Sequence, residues 1–363
     1  MPTGFDLDRY LTEGVESIVK GALSASLKNP KETAFLLSYA LAGKRAAAAR
    51  EKYAAAGKHI PSFLIASITN RCNLHCSGCY ARANSLCDDA EAAALLADED
   101  WCRIFDEAAQ IGVSFCLLAG GEPMLRRGVL ECAAKRREIL FPVFTNGTLL
   151  SESMLELIDQ NRNLVPIVSM EGDEAQTDAR RGAGTYSKLT ANMERMRDRG
   201  ILFGVSITLT TENIGTVTGD AFLSLLRALG AKVAFYVDYV PADAGTESLA
   251  PGDAERDFLA RRLDELRKQP DGMIYVSFPG DEQFSDGCLA AGRGFFHINP
   301  TGGAEPCPFS PVSDTNLKHT PLLAALDSPL FANLRASELL SGHHTGACAL
   351  FGKDEELAAM CGK

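Results

Sequence analysis

From residue 63 onward the chain alternates short apolar, β-branched runs with stretches of helical period. The runs are FLIASIT (63–69), SFCLLA (114–119), PVFT (142–145), LVPIVSM (164–170), FGVSITL (203–209) and VAFYVDYV (233–240). Each has the length of one strand and is apolar almost throughout, as strands covered on both faces must be. Between the first two, Trp101, Ile104, Phe105, Ala108 and Ile111 recur on one helical face, and Gly112 stops that helix. Six strands separated by helices imply right-handed βα units and a parallel sheet. The expected fold class is α/β, a partial (β/α)6 barrel whose ligand site lies at the C-terminal ends of the strands. Pro142 and Pro166 are expected at strand starts, where a missing N–H costs little.

The barrel is expected over 61–245, after an N-terminal helical extension over 1–60 that is rich in Ala and Leu and closes at Gly57 and Pro61. That extension reads as a cap on the main domain. An alternative is an amphipathic surface touching a membrane or an apolar substrate, because Lys44, Arg45, Arg50 and Lys52 follow the apolar stretch AFLLSYALAG. The turn-forming loop VPADAGTESLAPGD leads into a charged linker helix within 246–275. Gly-, Pro- and Cys-rich turns then mark 276–363 as a second, smaller domain.

Against 36 basic side chains stand 47 acidic ones, a net charge of −11, so a general nucleic-acid binder is not expected. The opening MPTGFDLDRYLTEG lacks the pattern of a signal peptide. AFLLSYALAG has about half of the ~20 residues that span a bilayer. A cytoplasmic location follows as the expectation. In that reducing compartment eleven cysteines mean metal ligands or small buried hydrophobes more often than disulfides. Cys102, Cys116 and Cys132 sit in helix or strand patterns and read as core, while Cys87, His343 and His344 fit more than one role.

Cys72, Cys76 and Cys79 form Cys-x3-Cys-x2-Cys directly after the first strand. Three soft thiolates from one short loop can ligate three irons of a cubane and leave the fourth without a protein ligand. A structural zinc site needs four ligands, and His75 or Cys87 could complete one.

The stretch CNLHCSGCY resembles the signature loop of the radical S-adenosylmethionine (radical SAM) superfamily, including an aromatic residue, Tyr80, after the last cysteine. The resemblance implies a [4Fe–4S] cluster whose open iron is chelated by the amino and carboxylate groups of S-adenosylmethionine. It implies reductive cleavage of that cofactor to a 5′-deoxyadenosyl radical, which removes hydrogen from a substrate. AGGEP (Gly120, Gly121, Glu122, Pro123) resembles the family motif that holds the methionine amino group. Bare glycines admit close backbone approach, and a carboxylate accepts from an ammonium. Ser169 and Glu171 in SMEG, and Arg181 beyond them, match positions that similar proteins use for the ribose or carboxylate, and guanidinium suits carboxylate. Arg180 is adjacent to Arg181, and Asn146 reads as a turn residue or a cofactor contact.

CLAAGRGFFHINPTGGAEPCPFS, with Cys288, Gly302 and Cys307, resembles the opening of the auxiliary-cluster domains called SPASM and twitch. Cys348 and Cys361 are the further candidate ligands. The dense later cysteines of the full SPASM pattern are missing, so one additional [4Fe–4S] cluster of the twitch type is implied. Reduced flavodoxin or ferredoxin is the implied electron donor, and the substrate is unidentified. Relatives with this domain pair modify peptides, proteins or small molecules. No winged-helix-like module precedes the barrel to recognise a leader peptide, and a lipid or other apolar substrate at a membrane surface is the alternative. A non-catalytic iron–sulfur electron carrier or metal-binding protein is the alternative of another class, but it needs no cofactor-shaped pocket.

Overall fold

All six expected strands form: β1 (Phe63–Thr69), β2 (Phe115–Gly120), β3 (Phe141–Thr145), β4 (Leu164–Ser169), β5 (Gly204–Leu209) and β6 (Val233–Asp238). They pair in chain order, all parallel, in the computed structural model, which describes residues 30–83, 87, 95–269, 271–284, 287–340 and 349–361. Helices return the chain between them: α1 (Pro30–Ala55) ahead of the barrel, then α2 (Asp98–Ile111), α3 (Arg127–Ala134), α4 (Glu152–Gln160), α5 (Glu174–Arg181), α6 (Thr185–Asp198), α7 (Asp220–Leu229) and α8 (Asp253–Arg267). The reason for α2 is visible in its ends and its face. The Asp100 carboxylate accepts the Ala97 N–H at 3.1 Å, Gly112 closes the helix at φ +95°, and Trp101, Ile104 and Phe105 are fully buried against the sheet.

The sheet continues beyond the six strands. β7 (Ile274–Phe278) adds parallel to β6, β8 (His297–Ile298) adds parallel to β1, and β9 (Ala304–Glu305) pairs antiparallel with β8. The result is one nine-stranded sheet in the order β7-β6-β5-β4-β3-β2-β1-β8-β9. The boundary expected at 276 therefore falls inside β7, and the chain after the linker helix serves both edges of the barrel. Sequence pattern misses this because two-residue strands have no period.

Pro142 and Pro166 lie inside β3 and β4, paired with Val165 and Val143, rather than at the strand starts. A strand sends successive N–H groups to opposite sides, so each proline removes a donor on one side only.

Phe35, Leu36 and Tyr39 of α1 pack against Leu140 and Val165, at or beside strand starts, and against Ile167 further along β4, and so close the N-terminal end of the barrel. Burying such side chains contributes about 1.5–3 kcal/mol each as an upper estimate. Polar anchors fix the helix: Tyr39 Oη donates to the Ser114 carbonyl at 2.7 Å, and Arg50 Nη1 to the Gly112 carbonyl at 2.6 Å. Arg162 Nη1 meets Glu32 Oε2 at 3.1 Å in a buried pair. Burial outweighs the Arg162 attraction and pushes the Glu32 carboxyl up to about 7. Arg50 is thus inside, not on the cationic surface expected of it. Among the described residues no helix is long and apolar enough to cross a membrane.

Cys102 of α2 and Cys132 of α3 are joined by a disulfide, with Cα atoms 5.1 Å apart. Both had read as unlinked core cysteines. Cys116 does lie buried in β2.

Candidate metal and cofactor site

Thr69 ends β1 and its Oγ1 accepts the Arg71 N–H at 3.1 Å, which turns the chain into the cysteine loop. Leu74 N–H points at Cys72 Sγ (3.5 Å), and Asn146 Nδ2 lies 3.9 Å from the same sulfur while donating to Asn73 Oδ1 at 2.9 Å. Arg181 Nη1 lies 4.0 Å from Cys76 Sγ. A short helical turn from Tyr80 to Ala83 ends the loop, with Arg82 and Ala83 N–H groups on the Cys79 carbonyl. All three cysteines line one cavity of about 1080 Å³, which also reaches Gly120, Gly121, Asn146, Ser169 and Arg181 at the C-terminal strand ends.

Burial pushes the Cys72 and Cys76 thiols above the ordinary cysteine range, and Arg181 pulls Cys76 part of the way back. Such thiols keep their protons until a metal displaces them. Among the described residues no three His, Cys, Asp or Glu side chains converge tightly enough to share one ion. The three thiols face one cavity, and a cubane would take each of them on a different iron.

The glycines of AGGEP have a steric cause. Gly120 has φ +116°, and a Cβ there would lie 2.3 Å from the Thr69 carbonyl oxygen; on Gly121 it would lie 2.1 Å from that of Arg71. Only bare backbone lets β2 turn beneath the loop.

Two carboxylates read as cofactor contacts lie behind the cavity wall instead. Glu122 is fully buried and accepts from Met124 N–H (3.0 Å), Thr145 Oγ1 (2.7 Å) and Asn146 N–H (2.7 Å). Desolvation nevertheless pushes its carboxyl up from the usual range. It locks the end of β2 to the end of β3, and Pro123 starts the turn that follows it. Glu171 accepts from Arg181 Nε (2.8 Å), Thr208 N–H (3.0 Å) and Arg180 Nη1 (3.4 Å). It aims both arginines from behind the wall.

Sequence reasoning passed over Ser206, Thr208 and Tyr239, which line the cavity, as does Arg180, the neighbour weighed beside Arg181. The alternation of Gly204, Ser206 and Thr208 along β5 was an available signal, because residues two apart share a sheet face. Tyr80 packs on Phe309 with tilted rings, centroids 4.9 Å apart, and Cys87 is buried in the cavity wall, while His75 is exposed.

The second cysteine group is less complete. Cys288 and Cys307 are buried and line a small cavity of about 30 Å³ together with Asp238, Tyr239, Phe309 and Ala349. Cys348, next to Ala349, lies outside the described residues, as do His343 and His344. Cys361 follows the helix α9 (Asp354–Met360) and does not line this cavity; its Sγ lies 3.8 Å from the Leu357 carbonyl. Asp238, Tyr239 and Phe309 line both cavities. A buried polar chain fastens β8 and β9 to β1: His297 Nε2 meets Ser67 Oγ at 2.7 Å, and Nδ1 meets Glu305 Oε2 at 2.7 Å.

A parallel barrel with cysteines and polar groups gathered at its strand ends defines a cofactor-dependent enzyme class, and residues 66–222 match the family model described as Radical SAM superfamily. Over these residues the chain carries a radical SAM domain, the domain of enzymes that work with a [4Fe–4S] cluster and S-adenosylmethionine. It is 29% identical over 311 residues to an AdoMet-dependent heme synthase of Methanosarcina barkeri, covering 78% of this chain and 87% of that one. It is 27% identical over 259 residues to a PqqA peptide cyclase of Granulibacter bethesdensis, covering 68% and 67%. The fold is shared with Streptococcus suis SuiB, in the structure bound to precursor peptide SuiA, at TM-score 0.64 and 17% identity, over 85% of this chain and 72% of that one.

Proposed function

We propose that Cys72, Cys76 and Cys79 hold the [4Fe–4S] cluster, with S-adenosylmethionine at the open iron and the substrate deeper in the same cavity. A cluster held there would supply the one electron that cleaves S-adenosylmethionine into methionine and a 5′-deoxyadenosyl radical able to take hydrogen from the substrate. The observation that carries this reading is the convergence of three thiols with Arg181, Ser169, Asn146 and the bare backbone of Gly120 and Gly121 on one cavity. Arg181, held by Glu171, offers a carboxylate its planar match. Ser169 and Asn146 supply hydrogen bonds, and Glu122 holds Asn146 by its backbone. The Phe115, Leu117, Phe144 and Phe235 walls keep water from the reacting atoms.

In this reading Cys288, Cys307 and Cys348 hold a second cluster, in a twitch-type region over 276–363. A cluster held there would supply a ligation point for the substrate or an acceptor for one of its electrons, which would make the net reaction an oxidation or a bond formation. Reduced flavodoxin or ferredoxin supplies electrons in the cytoplasm. The relatives' names span a heme synthase and a peptide cyclase. The apolar lower walls favour a substrate with a broad apolar face, whether a ring system or a peptide side chain. Anaerobic reconstitution, then dithionite reduction with S-adenosylmethionine, tests this: 5′-deoxyadenosine and about eight irons per chain support it. About four irons would remove the second cluster, and absence of 5′-deoxyadenosine would remove the chemistry.

A second reading adds membrane contact through α1. Leu37 and Leu41, one turn apart, are 54% and 62% exposed, beside exposed Lys44 and Arg45. Liposome co-sedimentation that disappears in Leu37→Glu/Leu41→Glu supports it, and unchanged partitioning sinks it.

A further inference from the structure

Tyr239 follows β6 and is 5% exposed, and its hydroxyl is shut off from solvent with no hydrogen-bond partner among the described residues. A buried hydroxyl left without a partner is destabilising, so its persistence points to a partner that arrives with what the site binds. Three observations say where that partner lies. The ring stands on the wall shared by the large cavity with Cys72, Cys76 and Cys79 and the small one with Cys288 and Cys307. The hydroxyl abuts Gly78, directly before Cys79: a Cβ built on Gly78 would sit 2.6 Å from Tyr239 Oη. Arg180 lies over the ring, its guanidinium carbon 5.8 Å from the centroid, while its Nε and Nη2 donate to the Ser77 and Gly78 carbonyls at 3.1 and 3.3 Å. The Ser77 and Gly78 carbonyls already accept from Arg180, and on either side of them the same loop carries two sulfur acceptors, Cys76 and Cys79, which face the large cavity.

We propose that the Tyr239 hydroxyl donates a hydrogen bond to a sulfur of the cluster at its Cys79 corner, the thiolate or an adjoining sulfide, and so tunes the cluster's reduction potential. The proposal rests on the reading of Cys72, Cys76 and Cys79 as cluster ligands. Reduction places one more negative charge on the cluster, and a fixed donor stabilises that state over the oxidised one. The Tyr239 contact therefore makes the cluster easier to reduce. Gly78, at φ +64° and without a Cβ, lets the phenol approach the loop, and Arg180 holds ring and loop in register.

Tyr239→Phe removes the oxygen and keeps the ring under Arg180. The measurement is a potentiometric titration of the electron paramagnetic resonance signal that responds to S-adenosylmethionine, together with thermal unfolding of the metal-free protein. The expected result is a shift of the midpoint to more negative potential at unchanged iron content. The metal-free variant is expected to be at least as stable as the metal-free wild type, because an orphan hydroxyl has been removed. An unchanged midpoint overturns the proposal. So does a less stable metal-free variant, which would reveal a protein partner for the hydroxyl. An unchanged midpoint with weaker S-adenosylmethionine binding reassigns the hydroxyl to the cofactor and equally overturns the sulfur contact. Should the variant lose its iron, the wild-type protein decides the matter: a hyperfine-coupled proton that disappears in D2O and is assigned by ring-deuterated tyrosine supports the contact, and its absence overturns it. A wild-type protein without any signal responsive to S-adenosylmethionine fails the cluster reading itself, which separates the two failures.

Discussion

The two cysteine groups differ in what fixes their positions. The first is local: three thiols within eight consecutive residues hang from the end of β1, braced by Asn146 just after β3 and by Arg181 at the end of α5. The second is assembled at long range. Cys288 and Cys307 flank the short pair β8–β9, which reaches β1 through the buried Ser67–His297–Glu305 chain, and the candidate third ligand Cys348 comes from a distant segment. A site built on parallel strand ends follows from the barrel itself. A site built from turns depends on each separate tertiary attachment.

Cys76→Ala should break the first group completely: 5′-deoxyadenosine formation disappears and iron falls by about four per chain. Cys307→Ala should remove a similar amount of iron yet leave reductive cleavage of S-adenosylmethionine in place, while turnover of substrate stops. Loss of cleavage in that variant would show that the two groups are not separable. Glu171→Gln should weaken S-adenosylmethionine binding by about 10–100-fold, the usual effect of losing a buried orienting partner, without loss of iron. Isothermal titration of the reconstituted protein reads this directly.

Glu32 belongs to neither group and provides a contrast in stability alone. Its carboxyl, raised to about 7 in the fold, favours the protonated form there. Its contribution is full below about pH 4.5 and is lost as pH rises through about 7, by at most about 3 kcal/mol. Denaturant unfolding at pH 5 and pH 8 should show this loss in wild type, with a flatter profile in Glu32→Gln and iron content unaffected. Smallest of all, Cys361→Ala should leave iron per chain unchanged; a loss of iron would return Cys361 to the ligand set.

Much of the first group could be read from sequence because its geometry is a matter of near neighbours. Spacing placed Cys72, Cys76 and Cys79 on one loop, and fully buried parallel strands gave runs that stood out in the chain. The direction in which a carboxylate points is not a local property. Glu122 and Glu171 carry the expected chemistry, but three converging donors turn each one into the wall behind the cavity. Tyr239 became visible only when β6 and α5 were brought against Gly78, and the contact with its ring is what gives Arg180 a place. Likewise β8 and β9 exist because β1 offered an edge, and the Cys102–Cys132 bond exists because α2 and α3 are neighbours.

The central claim is that the three-thiol loop leaves one iron for S-adenosylmethionine. Electron–nuclear double resonance of the reduced protein, with cofactor labelled by ¹⁵N in the amino group and ¹⁷O in the carboxylate, tests it most directly. The account predicts hyperfine coupling to both labels in wild type and to neither in Cys76→Ala. A cluster held by four protein ligands, coupled to neither label in wild type, would contradict it.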